Sequence, residues 1–176
     1  VDAGERPWVW GRQEEAQVEI DVEIERKFLL TGMPELDLLP ANVTCERLEV
    51  EQGWLPGERI RERLRRTIRS SGTDYTRTLK FGSGLVRQEV EEVMSVDLFE
   101  SMWPLTQGRR LRKIRWVIRQ DGKVWELDEF IDRDLVLLEV ELSDVHEQVT
   151  LPSWATPLID REVTDEPEYT NHQLAR

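Results

Sequence analysis

Two glutamates and a lysine at alternate positions offer the clearest chemistry in this chain: Glu23, Glu25 and Lys27, in the run Asp21-Val-Glu-Ile-Glu-Arg-Lys-Phe-Leu-Leu30. Successive side chains of a strand point to opposite faces, so these three share one face while Val22, Ile24 and Phe28 take the other. Two carboxylates side by side repel unless a cation lies between them, and oxygen donors of this kind suit a hard divalent ion. A solvated charged face of an antiparallel sheet is the plain alternative. The same alternation recurs downstream, and that recurrence favours chemistry.

Arg59, Arg61 and Arg63 alternate with Ile60, Glu62 and Leu64, and Thr76, Thr78 and Lys80 oppose Tyr75, Arg77 and Leu79. Arg87, Glu89 and Glu91 line one face of their segment. Lys113 and Arg115 oppose Ile114 and Trp116, Glu126 and Asp128 oppose Trp125 and Leu127, and Glu139 and Glu141 oppose Leu138, Val140 and Leu142. The charges are sorted by strand, with carboxylates in some and cations in others. Confined blocks of like charge are costly without counter-ions, so paired acids ask for a metal and paired guanidinium and ammonium groups ask for a polyanion.

The elements that must position these groups are strands. Expected spans are 21–30, 44–53, 58–68, 74–81, 87–96, 112–120, 123–131 and 135–143, separated by glycine, proline and serine turns. Asp121-Gly122 between two alternating runs predicts a two-residue hairpin. Short helices are expected at 34–39, 97–103 and 168–175. The fold class is α+β and β-dominated: an eight-stranded antiparallel closed barrel, because closure removes sheet edges. Its charged faces are expected to point into a water-filled lumen, with apolar faces covered outside by short helices and loops.

Composition bounds the rest. The 176 residues are 39% apolar, enough for one domain with its own core, and the net charge of −12 argues against a nucleic-acid partner or a polybasic membrane binder. The single Cys45 cannot form an internal disulfide, and no stretch is long and apolar enough for a span or a signal core, so a soluble cytoplasmic protein is expected. Residues 1–20 show no clean period and read as a flexible lead-in, leaving 21–176 as the single domain. No phosphate-binding glycine loop, dinucleotide fingerprint or serine elbow is present. His146 and His172 lack partners at zinc spacing and read as surface residues. Trp103, Trp116, Trp125 and Trp154 read as packing residues.

Taken in order, Glu23-Ile-Glu-Arg-Lys27, Gln52-Gly-Trp-Leu55, Ile60-Arg-Glu-Arg63, Thr78-Leu-Lys80, Arg87-Gln-Glu-Val-Glu91, Lys113-Ile-Arg115, Glu126-Leu-Asp128, Glu139-Val-Glu141, Glu162-Val-Thr164 and Tyr169-Thr-Asn171 resemble the CYTH superfamily, the triphosphate tunnel metalloenzymes. The resemblance spans about residues 21–175, beginning with the E-x-E-x-K signature. It implies a tunnel binding a triphosphate-containing small molecule with Mg²⁺ or Mn²⁺ as cofactor. It also implies Glu23, Glu25, Asp128, Glu139 and Glu141 as metal-side acids, and Lys27, Arg61, Arg63, Lys80, Arg87, Lys113 and Arg115 as phosphate-side cations. Glu23, Glu25 and Lys27 form the implied catalytic set. Glu89, Glu91 and Glu126 are read as partners of neighbouring cations.

The similarity to short bacterial members makes an inorganic triphosphatase the leading expectation, hydrolysing tripolyphosphate to phosphate and diphosphate. Thiamine triphosphate hydrolysis, cyclisation of ATP and non-catalytic polyphosphate binding remain as alternatives, and oligomeric state is open, a homodimer included. Trp54 stands where many members carry tyrosine. Leu64 to Thr73 lengthens a hairpin whose Arg65, Arg66 and Arg69 are expected to be solvated.

Overall fold

The computed structural model describes residues 21–57, 61–81 and 86–176. The described residues form nine strands: β1 (Asp21–Leu30), β2 (Thr44–Trp54), β3 (Arg61–Arg69), β4 (Gly72–Phe81), β5 (Val86–Val93), β6 (Arg110–Gln120), β7 (Lys123–Phe130), β8 (Val136–Glu141) and β9 (Ile159–Glu162). Among the described residues helix is confined to α1 (Val96–Met102), α2 (Asn171–Leu174) and four short 3-10 turns. Among the described residues no helix is long and apolar enough to cross a membrane. The expectations for residues 1–20 and for Arg59 lie outside the described residues.

The strands form one antiparallel sheet in the order β5-β4-β3-β2-β6-β7-β8-β1-β9, with an additional pairing of β5 to β1. Strand β1 organises this arrangement. One of its edges pairs with β8 from Glu25 to Leu30. The other edge is divided: Asp21–Ile24 pair with β5, and Phe28–Leu30 pair with β9. Strand β9 was absent from the sequence expectation because Ile159-Asp-Arg-Glu162 has no apolar alternation; it forms on the part of β1's edge that β5 leaves open.

Local chemistry explains the turns. Asp121 and Gly122 both have positive φ, 51° and 76°, as the type I′ hairpin between β6 and β7 requires. Ser95 caps α1 by accepting a hydrogen bond from the Leu98 amide at 3.3 Å. Strands β3 and β4 run on to a turn at Ser70 and Ser71, so regular strand extends one residue beyond the expected end of β3 and starts two residues before the expected start of β4.

Apolar side chains collect on the outward parity of the sheet. Phe28, Leu30, Ile118, Trp125, Leu127, Leu138 and Val140 pack under Met33, Leu36, Leu39, Val149, Leu151, Trp154 and Leu158, residues of the two long connections. Helix α1 covers β3 and β4 through Phe99, which meets Leu64 and Met94. Full burial of side chains such as Leu64 and Phe99 stabilises by roughly 1.5–3 kcal/mol each. A second cluster, Trp54, Leu111, Phe130, Leu137, Val163 and Ala175, joins the inward parity to the C-terminal segment. Strand β2 departs from the ionic-face rule, because Leu48, Val50, Gln52 and Trp54 are its buried parity.

Gly53 is fixed by a close approach. A Cβ there would lie 2.6 Å from Thr106 Cβ and Oγ1. Thr106 cannot retreat, since Oγ1 donates to the Trp103 carbonyl at 2.7 Å and accepts from Arg110 Nε at 2.8 Å. Gly53→Ala is therefore expected to lower stability by about 1–3 kcal/mol in urea unfolding. A midpoint equal to that of the parent would show that the β2 backbone is not held against Thr106.

Candidate active site

Strand register carries the charged parities together. Lys27 is the cross-strand partner of Glu139, Glu25 of Glu141, Glu126 of Glu139 and Arg115 of Asp128. On the other side, Arg61 faces Lys80, Arg63 faces Thr78, Lys80 faces Glu89 and Thr78 faces Glu91. Lys27, Arg115 and Lys80 thus each meet a carboxylate of a neighbouring strand, whereas Glu25 and Glu141, Glu126 and Glu139, and Arg61 and Lys80 are set against one another as like charges. Much of the counter-charge that the sequence seemed to demand from a ligand is supplied by the sheet itself.

The most buried part is a continuous ionic ladder. Arg115 Nε donates to Asp128 Oδ1 at 2.7 Å, and Arg115 Nη2 donates to Asp128 Oδ2 at 2.6 Å and Glu139 Oε2 at 3.0 Å. Its Nη1 reaches Glu126. Lys27 Nζ lies 2.8 Å from Glu139 Oε1 and 3.4 Å from Glu25 Oε1. Lys113 Nζ donates to Asp128 and, at 3.2 Å, to Asn171 Oδ1. Lys113 and Asp128 are both 0% exposed. Burial, then the nearby Arg115, pushes the Lys113 ammonium down to about 8, although Asp128 and Glu139 pull it upward. Burial pushes Glu139 up, but Lys27, Lys113 and Arg115 together hold it well below the usual carboxylate range.

Beside the ladder lies a cavity of about 210 Å³. Glu25, Lys27, Arg61, Arg63, Lys80, Arg115, Glu139 and Glu141 line it, as do Glu89, Glu91 and Glu126. Arg61 and Glu141 are exposed and mark its rim. Two of the expected residues sit elsewhere. Asp128, expected on the metal side, has both oxygens engaged by Arg115 and Lys113 and does not line the cavity. Lys113, expected on the phosphate side, is sealed behind Asp128 and Asn171 and does not line it either. Register places Glu23 opposite Arg87 across β1 and β5, and the side chains of both lie outside the described residues. Glu91 Oε2 accepts from Thr78 Oγ1 at 2.7 Å and from Arg63 Nη2 at 3.2 Å, while Glu89 pairs with Lys80.

Arg65 was expected in solvent and is instead a cavity residue. It continues the parity of Arg61 and Arg63, and its Nε donates to the buried Gln52 Oε1 at 3.1 Å. Burial, reinforced by Arg63 and Arg115, pushes it down to about 9, still a full cation at neutral pH. The signal was available in the alternation itself, which does not stop at Arg63. Arg66 and Arg69 do leave the site: Arg66 pairs with Glu51, and Arg69 with Asp74 at 2.9 Å.

His172 also differs from expectation, whereas His146 is exposed as expected. Thr170, Asn171 and His172 line the cavity, and the imidazole meets the buried Trp54 ring edge-on, 5.8 Å between centroids at 79°. Burial, then Arg61, Arg176 and Arg109, pushes this imidazole below its ordinary value. Asp160, Arg161 and Glu162 make their ion pairs away from the cavity: Arg161 with Asp160 at 3.0 Å and with Glu166 at 2.9 Å, and Glu162 with Arg26 at 2.5 Å.

Among the described residues no three His, Cys, Asp or Glu side chains group closely enough to cage a metal ion. The opposed Glu25 and Glu141 still fit a hard divalent ion. Mg²⁺ is typically held by one or two carboxylates and completes its shell with substrate oxygens and water, not by an all-protein cage.

Fold and site together define a β-sheet protein whose ion-lined cavity sets guanidinium and ammonium groups against a carboxylate pair. Comparisons with known proteins agree with that class. No family model matches the chain. The inorganic triphosphatase of Nitrosomonas europaea is 40% identical over 159 residues, which span 87% of this chain and 96% of that protein. The inorganic triphosphatase of Acetivibrio thermocellus is 28% identical over 157 residues, 88% of this chain and 93% of that one. The crystal structure of the inorganic triphosphatase NE1496 matches with a TM-score of 0.60 at 34% identity, over 87% of this chain and 93% of that one. The chain belongs to the inorganic triphosphatase family.

Removing one member of a buried ion pair leaves an uncompensated charge, so Asp128→Ala is expected to cost about 3–5 kcal/mol in chemical unfolding. Removing the exposed partner Glu49 of Arg47 should cost about 0–1 kcal/mol. Comparable losses for the two variants would refute the ladder's special status. The Glu139 shift sets a pH dependence. Its folded-state pKa is depressed, so its contribution is present above the ordinary value of 4.5 and is lost as pH falls below that toward the folded pKa. Thermal scans from pH 7 to pH 3 should show falling Tm, with a shallower fall in Glu139→Gln.

Proposed function

We propose that this protein hydrolyses inorganic tripolyphosphate to phosphate and diphosphate with a divalent metal ion, as a triphosphate tunnel metalloenzyme of the CYTH type. The observation that carries the reading is the row Arg61, Arg63 and Arg65 on one wall of a cavity that also holds the opposed pair Glu25 and Glu141. The names of the relatives support the same substrate. The pairing of β5 with β1 supports reading the first eight strands as a closed ring around the cavity, with β9 added outside it.

Glu25 and Glu141 are the residues that would hold Mg²⁺ or Mn²⁺, and Glu23 joins them by strand parity. Such an ion supplies charge neutralisation at phosphate oxygens and a more acidic bound water. Asp128 and Glu139, engaged by the ladder, act on the cations instead: they hold Arg115 and Lys27 in fixed positions at the cavity wall. Among the described residues Arg61 and Arg65 make no ion pair with a carboxylate, which leaves their charge for an anion. Desolvated beside Arg63 and Arg115, Arg65 gains from meeting phosphate oxygens.

Phosphoryl transfer needs little covalent help, so positioning and charge stabilisation carry it. Water attacks the terminal phosphorus, an oxygen–phosphorus bond forms, the bridging bond breaks, diphosphate leaves with the bonding pair and the water's proton passes to solvent. Arg61, Arg63, Arg65, Lys80 and Arg115 hold the non-bridging oxygens and offset charge on the departing diphosphate. Glu91 and Thr78 fix the Arg63 guanidinium, and Lys27 keeps Glu25 oriented across the rim.

The test measures phosphate release from tripolyphosphate, thiamine triphosphate and ATP, with and without Mg²⁺ or Mn²⁺, and scores cyclic AMP separately. Tripolyphosphate with metal is expected to be the best substrate. Glu25→Gln and Arg65→Ala should each lose roughly 100-fold or more in kcat with circular dichroism unchanged. Turnover of thiamine triphosphate or ATP but not of tripolyphosphate would replace the reading, and binding without any turnover would end it.

A further inference from the structure

A polyanion must approach a molecule whose net charge is −12. Inside the cavity most cations are matched by carboxylates of the sheet, so the ladder offers little attraction at a distance. Among the described residues, Arg61, Arg109 and Arg176 make no ion pair, and all three are exposed. They converge on one end of the cavity. Arg61 and His172 both line it. The Trp54 amide donates to the Arg109 carbonyl at 3.0 Å, which sets Arg109 beside the Trp54 and His172 rings. Arg176 follows Ala175, which is buried in the cluster around Trp54.

We propose that Arg61, Arg109 and Arg176 form a cationic collar at the Trp54–His172 end of the cavity that draws multiply charged phosphate anions toward it against the field of the whole protein. Three unpaired guanidinium groups at the mouth of a low-dielectric cleft reverse the local potential, and such focusing raises association rates. The imidazole among them is held toward its neutral form by burial and by these same three arginines, in agreement with a locally positive potential. Arg109 and Arg176 do not line the cavity, so these two act on approach and not on the reacting atoms, while Arg61 does both. The choice of ligand rests on the triphosphatase reading.

The experiment is stopped-flow association of tripolyphosphate with the full chain, followed by tryptophan fluorescence, beside steady-state phosphate release. In the Arg109→Gln/Arg176→Gln variant the association rate constant should fall roughly tenfold at about 10 mM ionic strength, and the difference should shrink to within about twofold near 1 M, where the Debye length is about 3 Å. Dissociation rate and kcat should stay unchanged. The Arg109→Lys/Arg176→Lys variant, which keeps charge, should keep the parental rate and guards against a misfolded glutamine variant. An unchanged association rate, or a loss of equal size at all ionic strengths, would overturn the collar. Salt-sensitive association without turnover would keep the collar and defeat the triphosphatase reading; turnover with salt-insensitive association would do the reverse. A parent protein that binds no tripolyphosphate would defeat both.

Discussion

The buried ladder Lys27–Glu139–Arg115–Asp128–Lys113 is the constraint on which the rest of the structure depends. Charges taken out of water are costly, and mutual attraction offsets that cost only where geometry is good and the remaining donors are satisfied. Here Arg115 makes a two-pronged bond to Asp128 and also reaches Glu126 and Glu139. The outcome is a rigid inner wall contributed by β1, β6, β7 and β8. A cavity beside such a wall has its electrostatics set before any ligand arrives.

The ladder also divides the charged residues into two groups by what each touches. Asp128 and Lys113 satisfy each other and vanish behind the wall, while Glu25 faces Glu141 in register at the cavity and Arg61, Arg63 and Arg65 of β3 line it. Asn171 ties the C-terminal segment to this wall by accepting from Lys113, and Val163 and Ala175 anchor the segment in the cluster around Trp54. Thus the last residues of the described chain complete the site. The family relationship fits a cavity of this composition, and the exposed arginines near His172 show how an acidic molecule can still present a positive face.

Much of the fold was legible in the chain because alternation of apolar and charged residues is a local property. Strand β1 was read over its full length, and Asp121-Gly122 was read as a hairpin, since each depends on its own backbone and immediate neighbours. Strand β9 was not legible: Ile159-Asp-Arg-Glu162 carries no strand pattern and becomes a strand only because β1 has an open edge there. Arg65 was legible in principle, since parity alone directs it inward beside Arg61 and Arg63. The solvated reading failed because it weighed the usual exposure of hairpin arginines above the strand alternation that continues past Arg63.

The sequence by itself determined that acidic and basic side chains would share one face of successive strands, because side-chain direction in a strand follows from position parity. Only tertiary structure decided which of them oppose each other. Register set Asp128 against Arg115 and Glu25 against Glu141, which turned two acids of identical local pattern into a buried partner and a cavity carboxylate. The same holds for His172, isolated in the chain and brought against Trp54 by the return of the C-terminal segment. Long-range pairing has no local signature, since it depends on which residues the folded sheet brings within a few ångströms.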